Sequence, residues 1–237
     1  MFKNKSNIKP SLGSTINTNH PLAQGLVGCW LFNEQTGNKI YDLSKDNHMG
    51  FFNGADWKYY NNSVKLDGTN DFIQTSKNLD LTGNAPRSIC IWFYIETMQT
   101  KNLCGYGIGS GGQIFDIILW NDGGGYNRVI GHYWGGGNDT IGTLPSRNTI
   151  KVPGWNQVVH IYDGTTVSIF TNGVFSNSKV LNLNTANSTF NIGKGTYEPY
   201  DYFGGDISQA SIYNRALSAE EVLSLYEQPY QFIDPPA

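Results

Sequence analysis

Apolar positions in this chain recur in short runs of alternating or continuous character, separated by glycine, asparagine and aspartate, which is the pattern of strands and tight turns. Gly25 to Glu34 carries apolar residues at successive positions and reads as a strand covered on both faces. Val64 to Gln74 reads as a hairpin turning at Asp67-Gly68. Arg87 to Glu96 is the most apolar run and is expected at the centre of a sheet, followed by strands over 103–108, 114–120 and 128–134. Trp155 to Asp163 and Val167 to Val174 are two further strands, with Asp163-Gly164 and Asn172-Gly173 as hairpin turns. A short strand is expected at Phe190 to Gly193.

The pattern changes period once. Ile207, Ala210, Ile212 and Tyr213 continue the strand type, and then Ser218 followed by Glu221 forms a capping box. Leu217, Val222 and Leu225 give one apolar stripe of a short helix. The expectation is a single all-β, two-sheet antiparallel sandwich over residues 25–227 with a short C-terminal helix. It is preceded by an extended polar arm at 1–24 and followed by an extended tail at 228–237.

Composition sharpens this picture. In 237 residues, 39% are hydrophobic and 14% aromatic, enough for a core, while 28 glycines supply turns. The net charge of −3, with no lysine or arginine run, gives no footprint for nucleic acid. Nor does any apolar run approach the ~20 residues of a membrane helix. Met1 to Pro10 is basic but lacks the apolar segment of a signal peptide. Cys29, Cys90 and Cys104 each lie in apolar runs and read as buried thiols, one disulfide with a leftover thiol being the alternative. No CxxC pair points to zinc.

Several of these segments resemble laminin-G-like jelly-roll domains of the concanavalin A-like superfamily. The opening strand Gly25 to Glu34, the loop Tyr41 to Gly50, the hairpin Leu66 to Ile73, the core from Trp155 to Gly173 and above all Tyr213-Asn214-Arg215-Ala216-Leu217-Ser218 carry the likeness. His20 to Gly28 and Pro229 to Phe232 further resemble stand-alone versions of the domain in tailed bacteriophages. That resemblance implies a jelly-roll fold. It also implies a non-catalytic virion-associated surface protein, a head decoration or tail adhesin assembled in the host cytoplasm and recognising cell-surface glycans. Its partners would be other virion structural proteins or a second copy of the chain. A purely structural assembly module is the alternative, and a glycoside hydrolase of the same superfamily a more distant one.

The superfamily's glycosidases use paired carboxylates on one strand. Here no ExDxxE triplet occurs: Glu96 stands alone, Asp116 has no carboxylate two or four residues away, and Glu220-Glu221 lies on the helix. His20, His48, His132 and His160 have no GxSxG nearby. Family members often hold one calcium at the sandwich edge, and the matching positions are Asp42, Asp46, Asn47 and Asp206, with turn capping as the competing role. Ser208 stands where a second acid is common. For a ligand, the aromatics in or beside glycine-rich loops are the candidates: Tyr126, Tyr133, Trp134, Tyr197, Tyr200 and Tyr202. The strand members of that set compete with a core role.

Overall fold

The computed structural model describes residues 8–59, 62–121, 127–133, 140–141, 150–196 and 202–236. In chain order the strands are β1 (Thr15–Ile16), β2 (Leu26–Trp30), β3 (Lys39–Ile40), β4 (Gly50–Asn53), β5 (Asp56–Lys58), β6 (Ser63–Asp67), β7 (Phe72–Asn78), β8 (Arg87–Ile95) and β9 (Lys101–Gly107). They continue with β10 (Ile114–Asn121), β11 (Asn127–His132), β12 (Thr140–Ile141), β13 (Gly154–Tyr162), β14 (Thr166–Thr171), β15 (Val174–Val180), β16 (Thr189–Ile192), β17 (Gly204–Tyr213) and β18 (Ile233–Asp234). One helix, α1 (Ala219–Glu227), precedes β18.

Two antiparallel sheets face each other. The first runs β15-β14-β13-β8-β17-β6-β5, with β2 also pairing β17; the second runs β12-β11-β10-β9-β16-β7-β4-β3. Alternation along each strand sends one set of side chains between the sheets. Ile89, Ile91, Phe93, Val158, Ile207 and Ile212 from the first meet Ile73, Tyr106, Phe115, Ile117, Phe190 and Ile192 from the second. Trp30 stacks on Phe190 at 5.7 Å between centroids and donates its indole N–H to the His48 carbonyl, so its one polar atom is satisfied inside the core. The Asn172-Gly173 turn has both residues at positive φ, 51° and 77°, as a two-residue hairpin requires. A Cβ on Gly173 would press on the Tyr226 ring of α1. The three cysteines are free and buried, and burial raises each thiol pKa, to about 12 for Cys90.

Part of the outer face of the first sheet is also buried. Leu31, Cys90, Val159, Phe170 and Tyr213 point away from the core and are covered by Leu22, Val222, Leu225, Phe232 and Ile233. That cover is built from α1 and from both ends of the described chain. β1 pairs antiparallel with β18, Thr15 opposite Asp234 and Ile16 opposite Ile233. Lys9 donates to the carbonyls of Phe32, Asn62 and Ser208, from three different segments. Residues 8–24 and 228–236, expected as an arm and a tail outside the domain, therefore pack as its third layer. The sparse apolar residues Ile16, Leu22, Phe232 and Ile233 find one another across the whole length of the chain. Among the described residues no helix is long and apolar enough to cross a membrane.

Candidate functional site

α1 and the termini cover part of the outer face of one sheet, and the candidate site lies on the outer face of the other. The strand registers assemble a row across it: His132 opposite Asp116, Asp116 opposite Gly105, Gly105 opposite Asn191, Asn191 opposite Gln74, Gln74 opposite Phe51 and Phe51 opposite Lys39. Each is the outward residue of a strand whose neighbours, such as Ile73, Phe115, Phe190 and Ile40, point into the core. Rows of this kind are continuous because the side-chain period of every strand is two residues.

The middle of the row is sealed. Asp116 is 1% exposed, and its Oδ2 accepts from the Thr196 N–H at 3.2 Å and hydroxyl at 3.1 Å. A Cβ on Gly105 would collide with this carboxyl group, so the neighbouring strand must present a glycine. Burial pushes the Asp116 carboxyl up to about 8, against the lowering pull of the two Thr196 donors. At neutral pH it is largely a protonated acid.

Beyond Thr196 the row forms a platform on which Phe51 is exposed and Gln74 half-buried, while Asn191 is 6% exposed. Gln74 donates its Nε2 to Asn191 Oδ1 at 3.0 Å. Among the described residues this leaves Gln74 Oε1 and Asn191 Nδ2, an acceptor beside a donor, without partners. Phe51 is 39% exposed next to them. One register step along, Phe72 lies opposite Asn53, with Tyr202 6.1 Å away between ring centroids and the Lys194 ammonium 4.2 Å above the Phe72 ring. At the far edge the Lys39 ammonium stands 5.4 Å from the Tyr41 ring centroid.

The sequence candidates fall into three groups. Tyr202 is on the platform. Tyr133 is fully buried: it faces the core, its hydroxyl pairs with His160 Nε2, and its ring lies beside Phe115, so it offers no face to a ligand. Strand alternation, which places Tyr133 on the inward side, is the reason. Tyr126, Trp134, Tyr197 and Tyr200 lie outside the described residues. Phe51, Phe72, Gln74, Asn191, Lys39 and Lys194 were not singled out from sequence. The alternation Phe72-Ile73-Gln74 is a signal that could have found two of them, but the row joins residues from strands far apart in the chain.

The four calcium positions do not form one site. Asp42 Oδ1 accepts from the N–H groups of Cys29 and Ser44, both at 2.8 Å, and Oδ2 from the Ser44 hydroxyl at 2.8 Å and the His48 N–H at 2.7 Å. Burial alone would raise its pKa; His48 and these N–H donors outweigh it and hold the carboxyl below its usual value. The Asp46 N–H donates to the Ser44 hydroxyl, and Asn47 takes positive φ, so the loop is a set of interlocked turns. Asp206 Oδ2 pairs with Lys58 at 2.6 Å. Cys29, beside Asp42, lies opposite Ser211, five residues along β17 from Asp206, or roughly 16 Å. Among the described residues no cluster of three or more His, Cys, Asp or Glu could hold a metal. Both Asp42 oxygens are committed to the loop, and Asp206 is paired with Lys58 far along the sheet, so the four positions do not come together as one calcium site.

A family model described as the concanavalin A-like lectin/glucanases superfamily, of laminin-G type, matches residues 67–223. No curated protein matches the chain. Among solved structures, the binding domain of Paraclostridial mosquitocidal protein 1 is similar at a TM-score of 0.67 and 19% identity, over 89% of this chain and 53% of that one. The botulinum neurotoxin serotype D binding domain aligns at 0.62 and 17%, over 86% and 52%. The botulinum neurotoxin DC binding domain, in complex with SialylT, aligns at 0.63 and 12%, over 87% and 52%. These likenesses speak for the fold, and the chain spans about half the length of the structures it matches. The two facing antiparallel sheets, the capped closing helix and a family match over more than half of the chain place it in the concanavalin A-like lectin/glucanase superfamily as a laminin-G-like domain.

Proposed function

We propose that the chain is a non-catalytic binding module that recognises saccharides through the outer face of its second sheet. The observation that carries this is the Gln74–Asn191 pair, whose shared hydrogen bond leaves one acceptor and one donor side by side next to the exposed Phe51 ring. Neighbouring hydroxyls of a sugar ring match an acceptor–donor pair, and the apolar C–H face of a sugar matches an aromatic ring. Support also comes from the solved relatives, described in complex with SialylT and with rat synaptotagmin II. On a virion surface, the setting implied by the motifs at the two ends of the chain, such a module serves as a decoration or adhesin. That placement rests on sequence resemblance.

The test is a glycan array followed by titration calorimetry on the full chain. Phe51→Ala and Gln74→Ala change outward residues and leave the core intact. Each is expected to weaken binding about tenfold or more, the scale of a central interface residue. Absence of binding to every saccharide, or binding indifferent to both substitutions, would overturn the proposal in favour of a structural module.

A further inference from the structure

The platform is flanked by two lysines. Lys39 begins the row on β3, and Lys194 follows the end of β16, three inter-strand steps away, or about 14 Å across the sheet. Neither ammonium makes a hydrogen bond or ion pair among the described residues. Instead, each stands over an aromatic ring, Lys39 over Tyr41 and Lys194 over Phe72. A ring beneath an ammonium restrains the lysine stem while leaving N–H donors free on the side away from it. The one carboxyl group in the row, Asp116, is buried under Thr196. The chain as a whole carries a net charge of −3, so two cations without an ion-pair partner among the described residues, bracketing one polar row, depart from its overall sign. A surface lysine without a carboxylate partner is common. Two of them held at the two ends of a platform that also offers an aromatic face and a free acceptor–donor pair form a site with a defined charge.

Building on the platform reading, we propose that its ligand is an acidic saccharide whose carboxylate or sulfate groups meet Lys39 and Lys194. Its ring hydroxyls lie on Gln74 and Asn191, and its apolar face lies on Phe51. The cations then select the ligand class, and the carboxamides and Phe51 hold the sugar itself.

The probes are three oligosaccharide sets: galacturonic-acid oligomers with their fully methyl-esterified counterparts, sialyllactose with lactose, and chondroitin sulfate oligomers with desulfated ones. Calorimetry on the intact chain is expected to show at least one acidic member binding about tenfold or more tightly than its neutral counterpart, with affinity falling as salt rises. The sulfated and carboxylated sets distinguish the two anion types. Lys39→Gln/Lys194→Gln is expected to abolish the preference for the acidic member, whereas Lys65→Gln, on the other sheet, leaves it in place. Equal binding of acidic and neutral members, or a preference that survives Lys39→Gln/Lys194→Gln, overturns the acidic-ligand proposal while the platform reading stands. Binding of no member of any set, with a neutral saccharide found on the glycan array, overturns the acidic-ligand proposal alone; an array blank throughout overturns both.

Discussion

Asp116 shows how a single buried group governs the surface above it. Its carboxyl anchors Thr196, four residues past the end of β16, and it does so with one oxygen while the other lies over Gly105. Because the folded-state pKa is raised to about 8, the folded protein holds a proton that the unfolded chain releases near the ordinary aspartate value. The stabilisation is therefore present below the unfolded pKa, declines as pH climbs toward 8, and is lost above that. Asp116→Asn keeps an acceptor for Thr196 and removes the titration. Its melting temperature should exceed that of the parent near pH 9 and approach it near pH 5, read by thermal denaturation at both values. A parental and a variant curve that fall equally with pH would show that Asp116 is not the titrating group. From sequence, Asp116 was visible only as a carboxylate without a neighbour. Its burial depends on Thr196, eighty residues on, and no local pattern announces such a contact.

At the scale of elements, α1 was legible in full because its signals are local. Ser218 accepts from the Glu221 N–H, and the Glu221 carboxylate accepts from the Ser218 N–H, the two halves of the capping box. Glu221 has a second role that the pattern did not reveal: Arg215 binds both of its oxygens, at 2.7 and 2.8 Å, and donates to the carbonyls of Gln24 and Pro21. The helix start is thereby tied to residues that precede β2. Ser218→Ala should cost about 1 kcal/mol in chemical denaturation, the usual value of an N-cap. Glu221→Ala should cost more, since it removes the reciprocal bond and frees Arg215 together. Equal losses would mean that the arginine link contributes nothing. The platform strands were harder to read for a corresponding reason. β3 and β4 are two and four residues long and lie in polar sequence, so Phe51 and Lys39 gain their meaning from pairing with β7. The long apolar strands β8, β13 and β17 carry their own evidence as strands, and β8, expected at the centre of a sheet, lies there between the other two.

For the whole molecule, the decisive arrangement is the division of labour between the two outer faces. One is covered in part by α1, β1, β18 and the residues around them; the other carries the platform. Reading residues 1–24 as a separate arm was reasonable from composition, because Ile16 and Leu22 are isolated among polar residues and their partners Phe232 and Ile233 lie more than two hundred residues away. Deleting residues 1–24 separates the two arrangements. A free arm would leave the melting temperature unchanged. Packed as described here, its loss exposes Phe232 and Ile233, strips β18 of its only strand partner among the described residues, removes Lys9 from its three carbonyls and sacrifices the burial of Leu22, which alone is worth about 2 kcal/mol. The melting temperature should fall clearly. Saccharide affinity at temperatures where the truncated chain remains folded should hold, because the platform belongs to the opposite sheet. A truncated chain that kept its stability and lost its ligand would invert the assignment, placing the binding surface at the termini and leaving the row from Lys39 to Asn191 as ordinary sheet surface.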